Sequence, residues 1–250
     1  MINKLIAIFF FIPLFTFSQN VNIPDANFKA YLIQDSTINT NRDTAIQVTE
    51  AESFSGSIIC RKLNITDLTG IEFFTSLTYL DCDTNELTSL NISNNLKLTI
   101  LRCGSNQITS LDLSKNIALT FIHCSDNQLS SLELSTNKGL IYLGCYLNKL
   151  DSLNVSSNTA LASLLCGANK LTYLDVSANS ALTALDCSRN QLIFLDLRNG
   201  NNINMWWAQA ALNPLLKCIS VDDVSWSTAN WKVENGRIDQ HHSFSSNCDK

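Results

Sequence analysis

The chain has 250 residues, 45% of them hydrophobic, and a formal net charge of −5. Binding to nucleic acid or to an anionic membrane surface needs a basic patch, and the lysines and arginines here are scattered along the sequence. Composition therefore argues against both as partners, and the length suits a single domain.

Residues 1–18 have the three parts of a secretory signal peptide. Lys4 supplies a short positive region, the run from Leu5 to Phe17 is apolar, and Thr16 and Ser18 are small residues at its end. A membrane helix needs about 20 apolar residues, so this run is too short to anchor the chain. We therefore predict a signal peptide over 1–18, no transmembrane segment, and a mature protein that is secreted, extracellular or at the cell surface.

Residues 19–57 are predicted to form a helical N-terminal cap. Phe28, Tyr31 and Leu32 recur at helical spacing within it. The loop that follows this helix matches the ligand spacing of an EF-hand calcium loop. The residues at the ligand positions are Asn39, Asn41, Asp43, Ala45, Gln47 and Glu50.

Two features of this loop depart from the calcium-binding pattern. Thr44 replaces the glycine of the sharp turn, and only Asp43 and Glu50 are charged among the candidate ligands. Two alternatives therefore stay open: a calcium site built from these residues, or a metal-free cap that keeps the same shape. The second alternative requires no cofactor.

A 21-residue period dominates the middle of the chain. Residues 58–76 are predicted to form an imperfect first coil, and residues 77–202 are six copies without insertion or deletion. Each copy follows LxxLxCxxNxL, the leucine-rich-repeat signature with cysteine in place of its third leucine. One copy cannot bury its apolar side alone, so we predict that the copies stack into a solenoid.

Alternation around positions 4 and 6 of each copy predicts a short strand that points these two side chains inward. The inward leucine-type column is Leu80, Leu101, Ile122, Leu143, Leu164 and Leu185, and the inward cysteine column is Cys82, Cys103, Cys124, Cys145, Cys166 and Cys187. The second half of each copy shows no helical periodicity and is predicted to be extended. The predicted fold is an α/β-type repeat solenoid. It is a leucine-rich-repeat horseshoe with a parallel concave β-sheet, a mostly extended convex side and a small helical, EF-hand-like N-terminal cap.

Asparagine occupies position 9 of all six copies, where the chain leaves the strand. An amide both donates and accepts hydrogen bonds, so a buried amide column can satisfy backbone groups of two successive turns. The column is Asn85, Asn106, Asn127, Asn148, Asn169 and Asn190. We expect Asn127 to be buried, and Asn137, at the other end of the same copy, to be more exposed.

Residues 203–250 are predicted to form a degenerate repeat and a C-terminal cap. Asn213 and Leu215 take the asparagine and leucine positions of a seventh copy. The tryptophans beyond the regular array suit an apolar cover for the last coil; they are Trp206, Trp207, Trp226 and Trp231. Cys218 and Cys248 flank this segment and lie off the cysteine column, so a disulfide between them and two free thiols are the alternatives.

At these residues the sequence resembles the internalin-type (internalin-J-like) leucine-rich-repeat proteins, which bacteria secrete or hold on their surface. The shared features are the cysteine-bearing repeat, the IPDANFKAYL segment near the start and the ITDLTGIE segment before the array. The resemblance covers roughly residues 22–248. It implies a right-handed solenoid, a ladder of stacked thiols, a cap shaped like a truncated EF-hand, and a location outside the cell.

The cysteine column favours packing over chemistry. A zinc site needs four convergent ligands, usually in closely spaced pairs, and a straight column offers neither. Buried thiols in apolar surroundings have a raised pKa and are inert. His123 and Cys124 are adjacent in a strand, so they point to opposite faces and cannot form a nucleophile–base pair. We therefore predict that the protein is not an enzyme.

The outward strand positions supply the candidate binding surface. Positions 3, 5 and 7 of the copies bring apolar and aromatic side chains together on the concave face. The predicted ligand-binding residues are Tyr79, Ile100, Arg102, Phe121, His123, Tyr142, Tyr146 and Leu165. A contiguous aromatic patch usually marks an interaction site, although a parallel sheet also favours such residues for packing alone.

Two functions fit these features. The first is a non-catalytic extracellular protein, acting as a monomer, that binds a protein or glycan partner through its concave face. The alternative is a structural spacer or adhesin scaffold, displayed at the cell surface without a specific concave ligand. The aromatic patch favours the first function, since a concave face of threonine, serine and asparagine would suit a spacer.

Overall fold

A computed structural model describes residues 19–248, and the predicted signal peptide lies outside this part of the chain. The N-terminal cap contains helix α1 (Ala26–Gln34) and, after the candidate calcium loop, helix α2 (Val48–Ser53). Asp25 begins α1 by accepting a hydrogen bond from the N–H of Phe28, whose ring is fully buried. Within the described residues, no helix combines the length and the apolar character that a membrane span requires.

Short parallel strands, one or two for each coil, build the rest of the described chain. They are β1 (Ser57–Ile59), β2 (Tyr79–Asp81), β3 (Ile100–Arg102), β4 (Phe121–His123), β5 (Tyr142–Gly144), β6 (Ser163–Leu165), β7 (Tyr173–Asp175), β8 (Ala184–Asp186), β9 (Phe194–Asp196), β10 (Trp207–Gln209), β11 (Cys218–Ser220) and β12 (Ser243–Ser245), with helix α3 (Val224–Asn230) between the last two. Single-turn 3₁₀ helices lie at Ile71–Phe73, Asn202–Asn204 and Val233–Asn235.

The first half of each coil contributes one strand to an eight-stranded parallel sheet, in the order β1–β2–β3–β4–β5–β6–β8–β10. The register follows the repeat, since Leu80 pairs with Leu101 and Leu101 pairs with Ile122. The second half of the last coils forms another parallel sheet, in the order β12–β11–β9–β7. The predicted leucine-rich-repeat horseshoe with its parallel concave sheet is therefore confirmed.

The inward cysteines form a continuous column of reduced thiols. All six predicted members are fully buried, and Cys60 of the first coil extends the column by one. Burial raises the pKa of Cys60 and of Cys124 to about 12, so these thiols stay protonated and unreactive at neutral pH. The column therefore fills the core as a set of small apolar groups.

The asparagines of position 9 join each coil to the coil before it. Asn127 is typical: its Oδ1 accepts from the N–H of Ile108 at 2.9 Å, and its Nδ2 donates to the carbonyl oxygens of Cys103 and Cys124 at 3.0 and 3.2 Å. The residue before it, Asp126, has a φ of 56°, which is the left-handed region that costs a non-glycine residue energy. The amide column holds this turn in every copy.

A second asparagine column, at position 19, runs through the core, and the expectation that Asn137 is exposed is wrong. Its members are Asn95, Asn116, Asn137, Asn158 and Asn179, each with no exposed surface. The Nδ2 of Asn137 donates to the carbonyl oxygens of Leu113 at 3.3 Å and Asn116 at 2.9 Å. These bonds satisfy the carbonyls of the turn that closes the preceding copy, so this position is as internal as position 9.

The C-terminal end differs from the sequence expectation at two points. Leu215 is 58% exposed, and the adjacent, fully buried Leu216 takes the inward role, although Asn213 keeps the ladder position. Trp206 and Trp207 are 67% and 42% exposed and are therefore not part of the apolar cover. The cover is made by Trp231, which is 2% exposed and packs edge-on against Trp226.

The structure joins Cys218 to Cys248 by a disulfide, with the two Cα atoms 5.8 Å apart. Cys218 begins β11, and β12 pairs with β11 in parallel register just before Cys248. The bridge thus closes the loop that contains α3 onto the end of the second sheet.

Candidate functional site

The outward side of the eight-stranded sheet, here called the concave face, brings the predicted position-3 residues into consecutive strands. Tyr79 lies in register with Ile100, which lies in register with Phe121. Phe121 lies in register with Tyr142, which is followed by the smaller Ser163. All of these side chains are half-buried, because each is flanked by the neighbouring strand.

A stack of three side chains forms the centre of the concave face. The rings of Phe121 and Tyr142 are nearly parallel, with an interplanar angle of 4° and centroids 4.2 Å apart. The guanidinium carbon of Arg102 lies 4.7 Å from the centroid of Phe121. Both contacts are favourable, at about 0.5–1.5 kcal/mol for an aromatic pair and less for an exposed cation–π pair. They hold the stack in one geometry.

A charged group flanks this stack and fixes the imidazole of His123. Asp83 accepts a hydrogen bond from the N–H of Gly104, and its carboxylate lies 3.2 Å from Nδ1 of His123 and 3.9 Å from the Arg102 guanidinium. Glycine is required at position 104, since a Cβ there would lie 2.5 Å from the His123 ring. The absence of a side chain at Gly104 therefore leaves room for the imidazole.

The other predicted residues extend the face toward the C-terminus. Leu165 lies in register with Gly144 on the neighbouring strand and is half-buried. The ring of Tyr146 lies over Gly167, where a Cβ would be 3.2 Å from the ring and 3.0 Å from the Asp186 carboxylate. All eight predicted residues thus lie on one continuous surface, with glycines beside the largest side chains.

Two residues of this surface, Asp83 and Trp207, were not predicted from the sequence to belong to it. Asp83 was not assigned to the site, because its partner His123 lies two coils away and the contact leaves no local pattern. Trp207 was assigned to the cap, although it continues the position-3 column in register with Ala184. Asn213 lies two residues later than the 21-residue period requires, and the same shift places Trp207 at position 3 of the seventh copy.

The cap loop holds its candidate calcium ligands together by internal hydrogen bonds. Oε1 of Glu50 accepts from the Thr40 N–H at 2.8 Å and from its hydroxyl at 2.9 Å, and Oε2 accepts from the N–H of Gln47 at 3.0 Å. The amides of Asn41 and Gln47 both donate to Oδ2 of Asp43, at 3.1 and 2.9 Å.

These bonds use most of the oxygens that a calcium ion would need. Ala45 would offer a backbone carbonyl, and Asn39 turns its Nδ2 to the carbonyl oxygens of Ile33 and Asp43 while its buried Oδ1 has no partner in the described structure. The amide N–H groups of Asn41 and Gln47 therefore occupy the position beside the Asp43 carboxylate that a cation would take. An ion would have to turn the amides of Asn41 and Gln47 before it could bind.

His123 and Cys124 do not form a catalytic pair in this structure. The imidazole of His123 lies on the outward side against Asp83, whereas Cys124 is fully buried on the inward side. The concave face therefore combines aromatic rings with the charged groups of Asp83 and Arg102.

The fold is shared with solved structures from Listeria monocytogenes. No protein-family model and no curated protein sequence matches the chain. The internalin C2 structure aligns over 79% of this chain and 93% of its own, with a TM-score of 0.51 and 18% identity. Internalin F aligns over 93% of this chain and 80% of its own, at a TM-score of 0.48 and 18% identity.

The functional domain of InlJ, described as including a cysteine ladder, aligns over 83% of this chain at a TM-score of 0.49 and 27% identity. This chain spans 58% of the length of that InlJ structure. The internalin C2 comparison and the repeat geometry together show one architecture: a helical cap, stacked coils and a parallel concave sheet. The protein described here has the internalin-like leucine-rich-repeat fold.

Proposed function

We propose that the chain is a non-catalytic extracellular binding protein that engages a protein or glycan partner through its concave face. The observation that carries the proposal is the stack of Arg102, Phe121 and Tyr142 at the centre of that face. Tyrosine and arginine are enriched among the residues that dominate interface energies. A surface that is already ordered also loses less conformational entropy when it binds.

The charges beside the stack add directional contacts. Asp83, Arg102 and His123 form a group of mixed sign, so a partner can place either a donor or an acceptor against it. Trp207, 42% exposed at the end of the same column, offers a second aromatic anchor. The extracellular location in this proposal rests on the signal-peptide features of residues 1–18.

A structural spacer is the second candidate, and the half-buried state of the concave side chains favours it. The rings of Phe121 and Tyr142 cover each other, and His123 is already paired with Asp83. A sheet that packs its own outward side chains needs no partner for stability. The two candidates differ in whether any macromolecule is bound through this face.

The test incubates three immobilised forms of residues 19–250 with extracellular extracts and compares the macromolecules that each form retains. The first is the unaltered protein, the second carries Phe121→Ala with Tyr142→Ala, and the matched control carries Leu96→Ala with Ile117→Ala, two apolar residues that are 54% and 65% exposed away from the concave face. A partner held by the unaltered protein and the control, and weakened about tenfold or more by the concave variant, supports binding. Equal retention by all three overturns the concave site, and no retention by the unaltered protein supports the spacer.

A further inference from the structure

A groove of about 680 Å³ lies on the second halves of the third, fourth and fifth copies, away from the concave face. Its lining comes from segments 131–133, 151–154 and 172–175, together with the turn residues that follow the last two. Its volume lies within the range of small-ligand sites. None of the residues assigned to the concave face lines it.

The groove arises from a change of side-chain size along one column. Position 13 of the first four copies is serine, at Ser89, Ser110, Ser131 and Ser152, and it becomes Tyr173 and Phe194 in the last two. The small side chains of Ser131 and Ser152 leave space in the groove, and the ring of Tyr173 closes one end of it. The Phe194 ring is buried and stacks behind Tyr173, with centroids 4.5 Å apart and planes 7° from parallel.

This stack leaves one face of Tyr173 available. Phe194 belongs to the next strand and covers the far face of the ring, and Tyr173 itself is 41% exposed and lines the groove. The ring is also held at its other end, because its hydroxyl lies 3.5 Å from the Asp175 carboxylate that it faces. The groove therefore ends in a fixed, solvent-facing aromatic surface.

Fixed acceptors surround this surface. Glu133, Asp151 and Asp175 bring carboxylates to the lining, and lysine and arginine are absent from it. Hydrogen bonds from serines hold several groups in place: the N–H of Ser177 donates to Oδ1 of Asp175 at 2.9 Å, and Ser156 donates to Oδ1 of Asn154. Ser135 and Ser152 donate to one oxygen each of Glu133 and Asp151, so the second oxygen of each of these two carboxylates is an acceptor for ligand donors.

We propose that this groove binds a neutral saccharide. An aromatic face matches the apolar C–H side of a sugar ring, and carboxylates accept hydrogen bonds from the hydroxyl groups at the edge of that ring. The three negative charges disfavour acidic sugars through like-charge repulsion. The site is separate from the concave face, so either surface can act without the other.

The test is a calorimetric titration of residues 19–250 with cellotetraose and chitotetraose as neutral probes. Tyr173→Ser restores the residue that this position has in the four preceding copies, so the variant should fold, and a thermal melt checks this. Saturable binding of a neutral probe that Tyr173→Ser weakens by about tenfold, and that Tyr173→Phe and the control variant Leu96→Ala leave nearly unchanged, supports the proposal.

Two further probes separate a sugar site from an acidic surface. Spermine carries positive charge without a sugar ring, and tetragalacturonate is an acidic sugar of similar length. Absence of saturable binding of both neutral probes, equal binding by Tyr173→Ser, binding of spermine alone, or binding of tetragalacturonate as tight as that of the neutral probes would each overturn the neutral-saccharide site. A partner held by the concave face is tested separately by the Phe121 and Tyr142 variants, so the two proposals can fail independently.

Discussion

Asn127 engages both ends of its side-chain amide, and this double use explains why position 9 is asparagine in every copy. Its oxygen accepts from Ile108 in the preceding coil, and its nitrogen donates to carbonyls of both coils. Aspartate offers no donor and serine cannot span the same distances. The uniform column was therefore readable from the sequence, because one physical role selects one residue type.

Replacing Asn127 with alanine should destabilise the protein more than replacing Asn137, and both more than replacing the exposed Thr136. Asn127→Ala leaves one N–H and three carbonyls without this partner, at about 1–3 kcal/mol for each buried group. Asn137→Ala frees two carbonyls but also removes a buried Oδ1 that has no partner in the described structure, so its net cost is smaller. Urea denaturation of the three variants measures the order, and equal small losses would place the amide columns outside the core.

The thiol column predicts a definite count of reactive groups. Unfolding without a reductant should expose seven titratable thiols, since Cys218 and Cys248 are joined and the other cysteines are free. The native protein should react with none at neutral pH, because each free thiol is buried. Two or fewer thiols after unfolding would instead indicate a framework of disulfides.

A variant adds a stability test of the same column. Cys124→Ser places a hydroxyl where a nearly apolar thiol packs, at a cost of about 1–3 kcal/mol. Cys124→Ala, which removes the sulfur without adding a polar group, is the control. Equal stability of the serine variant and the unaltered protein would contradict an apolar surrounding at this site.

At the scale of elements, the N-terminal cap depends on Glu50. One carboxylate oxygen accepts from the backbone N–H and the hydroxyl of Thr40, and the other accepts from the N–H of Gln47 at the start of α2. These hydrogen bonds order the loop without a bound cation. The spacing of the six candidate calcium ligands was visible in the sequence. The choice between a metal and a hydrogen-bonded loop was not, because it depends on how the amides of Asn41 and Gln47 are turned.

Glu50→Gln should lower the melting temperature without any calcium present, since an amide N–H₂ would then face backbone N–H donors. We expect millimolar calcium to leave the melting temperatures of both forms unchanged, because protein donors already satisfy Asp43. Differential scanning calorimetry with and without a chelator measures both effects. A rise with calcium in the unaltered protein that Glu50→Gln abolishes would establish the metal-binding alternative.

His242 gives the C-terminal cap a dependence on pH. Its Nδ1 accepts from the N–H of Asp239 at 3.2 Å, and its Nε2 lies 3.3 Å from the Asp239 carboxylate and 3.4 Å from the Asn213 carbonyl. This arrangement suits the neutral ring with its proton on Nε2. Burial lowers the pKa of His242 below its usual 6.5, despite the opposing effects of Asp239 and Asn213.

The unfolded chain therefore binds more protons than the folded one below pH 6.5, and stability falls as the pH drops through the lowered pKa. The free energy of unfolding should decrease between about pH 7 and about pH 5. The variant His242→Gln should be less stable at neutral pH and should lose less on acidification. An identical pH dependence in the variant would show that His242 has the same pKa in the folded and unfolded states.

At the scale of the molecule, stacking explains both what the sequence predicts and what it leaves open. Each copy adds the same leucine, cysteine and asparagine columns, so the periodicity alone predicts the sheet and its register. The contacts that shape the surfaces join different copies: Asp83 meets His123 across two coils, and Tyr173 meets Phe194 across one. Such contacts depend on the particular residues of each copy and have no periodic signature.

The proposed function depends on the concave face, and the solvent exposure of its aromatic side chains can be measured by oxidation. Phe121, Tyr142 and Tyr146 are half-buried aromatic side chains on that face, whereas Tyr173 is an exposed aromatic on the second sheet. Hydroxyl-radical oxidation labels such rings in proportion to their contact with water. One experiment can therefore read both surfaces in the same sample.

Oxidative footprinting of the protein with and without its captured partner tests the concave site most directly. The partner should protect Phe121, Tyr142 and Tyr146 from oxidation and leave the oxidation rate of Tyr173 unchanged. Unchanged oxidation of the three concave rings under saturating partner, with protection found elsewhere on the chain, would contradict the concave site.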